Sequence, residues 1–470
     1  MVRASAIAER MGIPSSSLVC EGFTTQAQTT AAGLGLPNLP LARLLGHVDV
    51  QSAAELRRNV LGVTLDAVVD NLTTDPAPAQ VTQEPGPSDI VFGGSFDEVN
   101  GHFVEREWSD GLPVVPPTVD RVGTFLSYTD RDPDEEIGVL LPENRQATVW
   151  NVAVNAVMAG CRPEYLPVVL AIAEAMADPG YGIEHSGDTT SAEMLVILSG
   201  PVVEDLGFNS GQGALRDGIQ ANTTVGRFCR LYQRNVAGFL PRRTDKGTFG
   251  TTWRVVLAED GEALARLGWP SIAEERGVPP GESAVTVGRY TTEALIGSAF
   301  AAEPGRLLAY LADGLAKHVG WEFVFTVSWG GSLRPLLILT PILAEALARA
   351  GFGKEDVKRE LHGRARITAR QIERYVGEWT NIVPGRPRLV DLVGRGELPG
   401  VYGESEEPDR LVPIVAQPDD LMIAVSGDPL RTNACVFVSN GMHGYPTTKR
   451  IRLPRDWAER VRPPARVPSP

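Results

Sequence analysis

The 470-residue chain is poor in the residues and patterns that most directly announce a chemistry. Cysteine is scarce: Cys20, Cys161, Cys229 and Cys435 are scattered, with no CxxC pair. That distribution argues against a disulfide framework or a structural zinc site and fits a reduced cytoplasm. Long apolar runs are also missing. The longest, Leu333 to Leu347, is broken by Arg334, two prolines and Glu345, so no membrane span is expected. The first residues carry Arg3, Glu9 and Arg10 and no apolar core, so no signal peptide is expected. Positive charge is in deficit: 44 Lys and Arg face 58 Asp and Glu, for a formal charge of −14. That balance argues against nucleic acid or an anionic membrane as a partner. No GxSxG elbow, HExxH helix, P-loop or well-spaced GxGxxG fingerprint occurs, which disfavours hydrolase, zinc-protease and nucleotide-fold readings. The sequence names no cofactor.

What the chain does have is glycine and proline, and one glycine-rich stretch stands out: GFNSGQGALRDGIQANTTVGR, Gly207 to Arg227. Glycine admits positive φ and close approach of a ligand to the main chain. Amide and hydroxyl side chains add local hydrogen bonds, and Arg216 and Arg227 are suited to fork a carboxylate or phosphate. Asn209, Ser210, Gly211, Gly213, Arg216, Asn222, Thr224 and Arg227 form the candidate binding set for a small polar, anionic substrate. A tight turn between packed elements accounts for the same glycines. The surroundings favour a site: an apolar strand, Met194 to Gly200, precedes the stretch, and a helix over Val225–Leu231 follows it. Free N–H groups at a helix start attract anions.

Three residues are candidates for catalysis. His185 lies in a polar, glycine-bearing loop with Glu184 and Asp188, and His443 lies between Gly441 and Gly444. Either could act as a general base near neutral pH; an exposed loop histidine is the plainer alternative. Cys161, between Gly160 and Arg162, would have a lowered pKa if partly exposed beside that cation; otherwise it is a small buried residue at a helix end. Cys229 and Tyr165 are weaker candidates of the same kind. Asp110 opens LPVVPPT, in which Pro113, Pro116 and Pro117 fix an extended strap that lines a pocket or wraps the domain.

The pattern along the chain predicts a small N-terminal α/β module over residues 1–73. Its helices are expected at Arg3–Met11, Thr24–Gly33 (capped by Thr24 or Thr25) and Ser52–Asn71. Strands at Ser16–Cys20 and Leu39–Leu45 suggest a parallel sheet. Two strands stand poorly alone, so the module should lean on the rest of the protein or on another chain. A Pro-rich linker (74–89), a large domain (90–453) and a Pro- and Arg-rich tail (454–470) follow. In the large domain helices are expected at Ala147–Ala159, Pro163–Ala177, Glu303–Val319, Pro341–Ala350 and Lys354–Leu361. Strands are expected at Val196–Leu198, Trp253–Leu257, Phe323–Val327, Leu336–Leu339, Val412–Val415, Met422–Val425 and Cys435–Val438. This loose alternation argues for an α/β (or α+β) fold rather than a barrel.

The segment GIPSSSLVCEGFTTQAQTTAAGLGLPNLPLARLLGHVDVQSAAELRRN resembles the UGSC-motif family, small bacterial proteins named for a selenocysteine- or cysteine-containing loop. The resemblance implies that this loop precedes the first helix. Here the sequence starts at Met1–Val2, so that loop is either absent or lies before this start, the redox-active residue is carried over to no position, and Cys20 is not in the motif place. The remainder is similar to a larger companion protein through DGLPVVPPT, NAVMAGCRPEYLPVV, the glycine-rich stretch and HGYPTTKRIRLP. Where that resemblance implies PEHA, the chain reads PILA, Pro341 to Ala344. The combined expectation is an enzyme acting on a small anionic metabolite, by thiol, redox or proton-transfer chemistry in biosynthesis, working as a homo-oligomer. The alternative is a non-catalytic accessory subunit that binds a ligand or redox partner.

Overall fold

The computed structural model describes the chain except for residues 75–85, 87, 252–254, 330–331, 381–384, 386–387, 440–443 and 462–470. Most of the linker and half of the tail therefore lie outside the described residues. So do His443 and part of the strand expected at Trp253–Leu257.

In the N-terminal module, β1 (Ser17–Cys20) and β2 (Leu41–Leu44) pair in parallel, with Ser17 opposite Leu41. Helices Val2–Arg10 and Thr24–Gly33 pack beside them. A third helical run comprises Ala53–Asn59, a π-helical turn Val60–Thr64, and Leu65–Thr73. Ser52 and Glu55 form the capping box that starts it. The expected threonine cap is absent from the second helix: Phe23 is the N-cap residue, and the Thr24 hydroxyl donates back to Glu21 O at 3.1 Å. The module's buried apolar residues are few and small: Ala6, Ala31 and Leu39 pack as one cluster, with Val19, Ala27 and Ala42 also buried. It leans on the large domain instead. Arg3 pairs with Glu184 at 3.2 Å, and Gln26 Nε2 donates to Thr244 O at 3.2 Å. Gly33 sits so close to the main chain at Pro142 that a Cβ there would lie 2.1 Å from the Pro142 carbonyl oxygen.

In the large domain an antiparallel hairpin, β3 (Glu136–Leu140) and β4 (Arg145–Thr148), leads into helix Val149–Ala159 through a Thr148–Asn151 capping box. The main sheet contains β5 (Glu193–Ser199), β6 (Leu257–Ala258), β7 (Ala284–Ile296) and β8 (Leu336–Leu339). After a separate short pair, β9 (Arg366–Thr368) with β10 (Leu411–Pro413), it is completed by β11 (Met422–Val425), β12 (Ala434–Ser439) and β13 (Thr447–Arg450). The strand order is β11-β8-β12-β7-β5-β6, with β13 also pairing β7. Pairing is mixed: β5 with β6 and β8 with β11 are parallel, while β7 is antiparallel to every strand it meets.

The expected mixed α/β fold is present, and its main sheet curls into a half-barrel. Beyond its edges, the Asp260 N–H donates to Val425 O and the Ser426 hydroxyl to Ala258 O, each at 2.8 Å. Met194, Val196, Leu198, Val285 and Val287 face helices on the convex side, and Leu337, Leu339, Ile423, Val425, Val436 and Val438 do the same further along. The concave side is lined by Leu195, Ile197, Tyr290, Leu336, Ile338, Met422, Ala424 and Phe437, and is closed by Ala214, Leu215 and Ile272. Strands buried on both faces read as unbroken apolar runs such as LVIL and LLIL, not as alternations. Each fully buried Leu or Ile contributes roughly 1.5–3 kcal/mol of transfer free energy.

Phe323–Val327 is also corrected: it lies in helix Phe323–Trp329, not a strand. Phe323, Val324 and Val327 fall on one helical face against Ala369, Ile372 and Val376, and that packing overrides the β preference of the run. Pro341–Arg349 is a helix as expected, and Leu343 of PILA is buried in the core.

Replacing Gly33 with Ala should open the docking contact. The expected result is faster amide hydrogen exchange over Thr24–Gly33 and around Pro142, with the large domain's exchange unchanged; unaltered protection at both places would refute the contact.

Candidate functional site

The glycine-rich stretch is a cover for the half-barrel more than an open cradle. Its strand-side part is fixed by amides. The buried Asn222 accepts from Asn209 N at 2.8 Å through its side-chain oxygen and donates to Asn209 O and Val256 O. Asn209 in turn accepts from Gly211 N and donates to Gln212 O. Ser210 O accepts from Gly427 N at 2.7 Å and from the Ser426 hydroxyl, which ties the stretch to the end of β11. Gly213 has φ +74°, and its carbonyl accepts from Arg216 N at 2.8 Å. Ala214 and Leu215 then drop onto the concave core. Helix Gln220–Tyr232 starts five residues before the expected Val225, so Asn222 and Thr224 join Arg227 on a helix rather than lying in a loop.

Arg227 is held by its own chain. Its Nε and Nη2 donate to the two oxygens of Asp110 at 3.0 and 2.8 Å, and Nη2 also reaches Pro113 O at 2.9 Å. The guanidinium thus pins the proline-stiffened 110–113 strap to the helix. Burial works against ionisation of Asp110, but the hydrogen bond and charge of Arg227 outweigh it and hold the carboxyl below its usual value. Arg216 is exposed and has no ion pair among the described residues.

Cys161, Thr224 and Arg227, distant in sequence, meet here. Helix Val149–Ala159 ends at Gly160 with φ +81°, and the chain turns to bring Cys161 against the Thr224 hydroxyl. The thiol is buried, and burial pushes it up to about 12 despite Thr224 and Arg227. The condition for a reactive thiol, partial exposure beside Arg162, fails: Arg162 pairs with Glu164 instead. Cys229 is buried and pushed up as well. Thr224 also donates to Gln220 O at 2.8 Å, a local helix bond.

His185 lies elsewhere, at the seam with the N-terminal module, where Glu184 is 3.9 Å from its Nε2 and also pairs with Arg3. It is not brought to Cys161, and His443 lies outside the described residues. The loop bearing His185 nevertheless frames a polar centre that sequence reasoning missed. Arg289 of β7, almost fully buried, donates to Gly182 O at 2.8 Å, Tyr181 O at 3.1 Å and the Ser186 hydroxyl at 3.3 Å. It also lies 5.1 Å from the Tyr181 ring centre. Gly444 approaches the same place, because a Cβ there would touch Tyr181 O and the Arg289 guanidinium. Two residues further along β7, the Thr291 hydroxyl donates to Glu322 Oε1 at 3.1 Å. Glu322 is buried, and its Oε2 has no hydrogen-bond partner among the described residues. Burial raises its carboxyl to about 7; the Thr291 bond opposes this and the nearby Asp188 charge adds to it. The only available sequence signal was a charged Arg289 inside an otherwise β-like AVTVGRYTTEALI run. No cluster of His, Cys, Asp and Glu fit to hold a metal occurs among the described residues.

The Asp110–Arg227 clamp yields a direct test. Asp110→Ala should lower unfolding free energy by about 2–3 kcal/mol, since it strands a partly buried guanidinium. Denaturant unfolding measures this, and a change below about 0.5 kcal/mol would match an ordinary surface pair instead.

Among the described residues no helix is long and apolar enough to cross a membrane. No curated protein and no solved structure matches the chain. The N-terminal unit of three helical runs around a two-stranded parallel sheet does find its relatives: residues 1–74 match the UGSC family.

Proposed function

We propose that the protein is an enzyme that acts on a small anionic metabolite by proton transfer, with Glu322 as the acid–base group. The observation that carries this reading is a buried carboxyl with one oxygen held by Thr291 and the other without a partner. A carboxyl poised near neutrality is suited to take and return a proton at physiological pH. Arg289 supplies fixed positive charge on the same strand, and the loop carrying His185 and Asp188 closes over it. The reading moves the chemistry away from Cys161, whose buried thiol is a poor nucleophile. The anionic substrate stays in the proposal, and Arg216 remains an exposed cation at the rim of the cover loop.

The test uses solvent deuterium. Full-length protein in D2O is incubated with a panel of small oxo- and hydroxycarboxylates and phosphorylated metabolites, and proton NMR follows exchange at carbons beside a carbonyl. Glu322→Gln should slow wild-type exchange about 100-fold or more. Wild type that exchanges no panel member, or a variant that exchanges as fast as wild type, removes the reading. The same variant has a stability signature. The folded-state value of Glu322 lies above its unfolded one, so its contribution is full below the unfolded value and fades as pH rises through about 7. Glu322→Gln should remove roughly 2–3 kcal/mol of the stability lost between about pH 5 and about pH 8.

One observation favours the accessory-subunit reading as a second role. Leu61, Leu65, Val69 and Leu72, spaced four, four and three apart, are 52%, 44%, 51% and 45% exposed on the N-terminal module's outer helical run. An apolar stripe of this kind is suited to bind a partner or a second copy. Light scattering of the full chain and of Leu65→Glu checks self-association: an oligomer that falls to a monomer in the variant supports it, and a monomeric wild type rules out the second-copy form.

A further inference from the structure

We propose that the concave side of the half-barrel holds a second binding site, for an anionic oxygen group of the phosphate or carboxylate type, built from Arg276, Arg334 and the hydroxyl of Tyr290. The site stands independently of the proton-transfer reading.

Tyr290 is fully buried, and its hydroxyl finds no hydrogen-bond partner among the described residues. Buried hydroxyls are rarely left unpaired, because stripping one of water costs about 1–3 kcal/mol. The ring folds back along its own strand: a Cβ at Gly288 would lie 2.9 Å from the hydroxyl oxygen. That places the hydroxyl over the stretch of β7 that pairs with β13, where the Thr286 and Thr448 hydroxyls lie 2.9 Å apart. Arg276 reaches the same place. Its Nε donates to the Thr448 hydroxyl at 2.7 Å and its Nη2 to Pro446 O, and it has no ion pair among the described residues. A guanidinium has five N–H donors, so most of those on Arg276 remain for another acceptor.

Arg334 approaches from the neighbouring strands. Its backbone N–H donates at 2.6 Å to the hydroxyl of Ser439, which lies opposite Tyr290 in the β7–β12 ladder. Its guanidinium stacks 4.8 Å from the ring centre of Tyr445, the residue before Pro446. Arg276 lies close enough to feel both Tyr290 and Arg334. Of the two cations only Arg334 has a carboxylate, Asp420 at 2.8 Å. Arg276, which is exposed, therefore carries an uncompensated positive charge at the edge of a protein of net charge −14.

A concavity of about 710 Å³ opens beside Arg276, with Thr448, Lys449, Arg450 and Arg452 along it. Those three cations are already paired, with Asp178, Glu282 and Glu174, so Arg276 is the cation left to hold an anion there.

Isothermal titration calorimetry of the full chain with inorganic phosphate and with malonate, at low ionic strength and neutral pH, tests the proposal. Wild type should bind at least one probe saturably. Arg276→Gln and Tyr290→Phe should each weaken it about tenfold or more, and Glu322→Gln should bind like wild type. Tyr290→Phe should keep or raise the melting temperature, because the hydroxyl it removes has no partner in the free protein. A merely structural tyrosine hydroxyl would lower it. Wild type that binds neither probe, or undiminished binding in both Arg276→Gln and Tyr290→Phe, overturns the proposal.

Discussion

The period-two alternation of one strand organises this molecule. β7 runs from Ala284 to Ile296 and is hydrogen-bonded on both sides, to β5 on one edge and to β12 and β13 on the other. Its side chains must point alternately to the two faces of the sheet. Val285 and Val287 meet the outer helices, Arg289 continues that series into the polar centre, and Thr291 follows at the bulge, where the alternation breaks. Tyr290 points the other way, into the concave core. A one-residue slip of register would exchange the two polar sets and bury the wrong charges. The bulge at Val438–Ser439 and the change of neighbour from β12 to β13 fall beside these residues.

Charge is rationed on this scaffold by pairing. Arg227 meets Asp110, and the buried Glu193 meets Arg230. Lys354 and Lys358 share Glu275. Each arrangement keeps a costly ion out of an unpaired state. Burial raises the carboxyl of Glu193 even so, and that of Glu259, held by Ser199 and the Ile272 N–H, in the same way. Glu322 differs in having only a threonine hydroxyl for company, which is why it is the acid singled out for chemistry.

Local elements were legible in the sequence where packing and propensity agree. Helices such as Thr24–Gly33 and Pro304–Val319, strands such as Leu336–Leu339 and Met422–Val425, and the parallel pairing of the N-terminal module follow from apolar runs and their punctuation. The candidate site was legible only in part. Cys161, Thr224 and Arg227 were each singled out, and they do meet, but nothing local told that Asp110 would claim the guanidinium across more than a hundred residues. β7 was missed because GRYTTE interrupts its apolar pattern with polar side chains, which only the tertiary fold can satisfy. Phe323–Val327 misled for the converse reason: a β-rich run takes the helical form when its neighbours are helices.

Gly288 leaves the space into which Tyr290 leans. Any side chain at that position would have to displace the aromatic ring or the strand beneath it. Residues 288 and 290 are therefore coupled as a bare backbone and the ring resting on it. In descendants of this sequence the two should change together or not at all, so their joint variation would record how long the inner face has been kept in its present form.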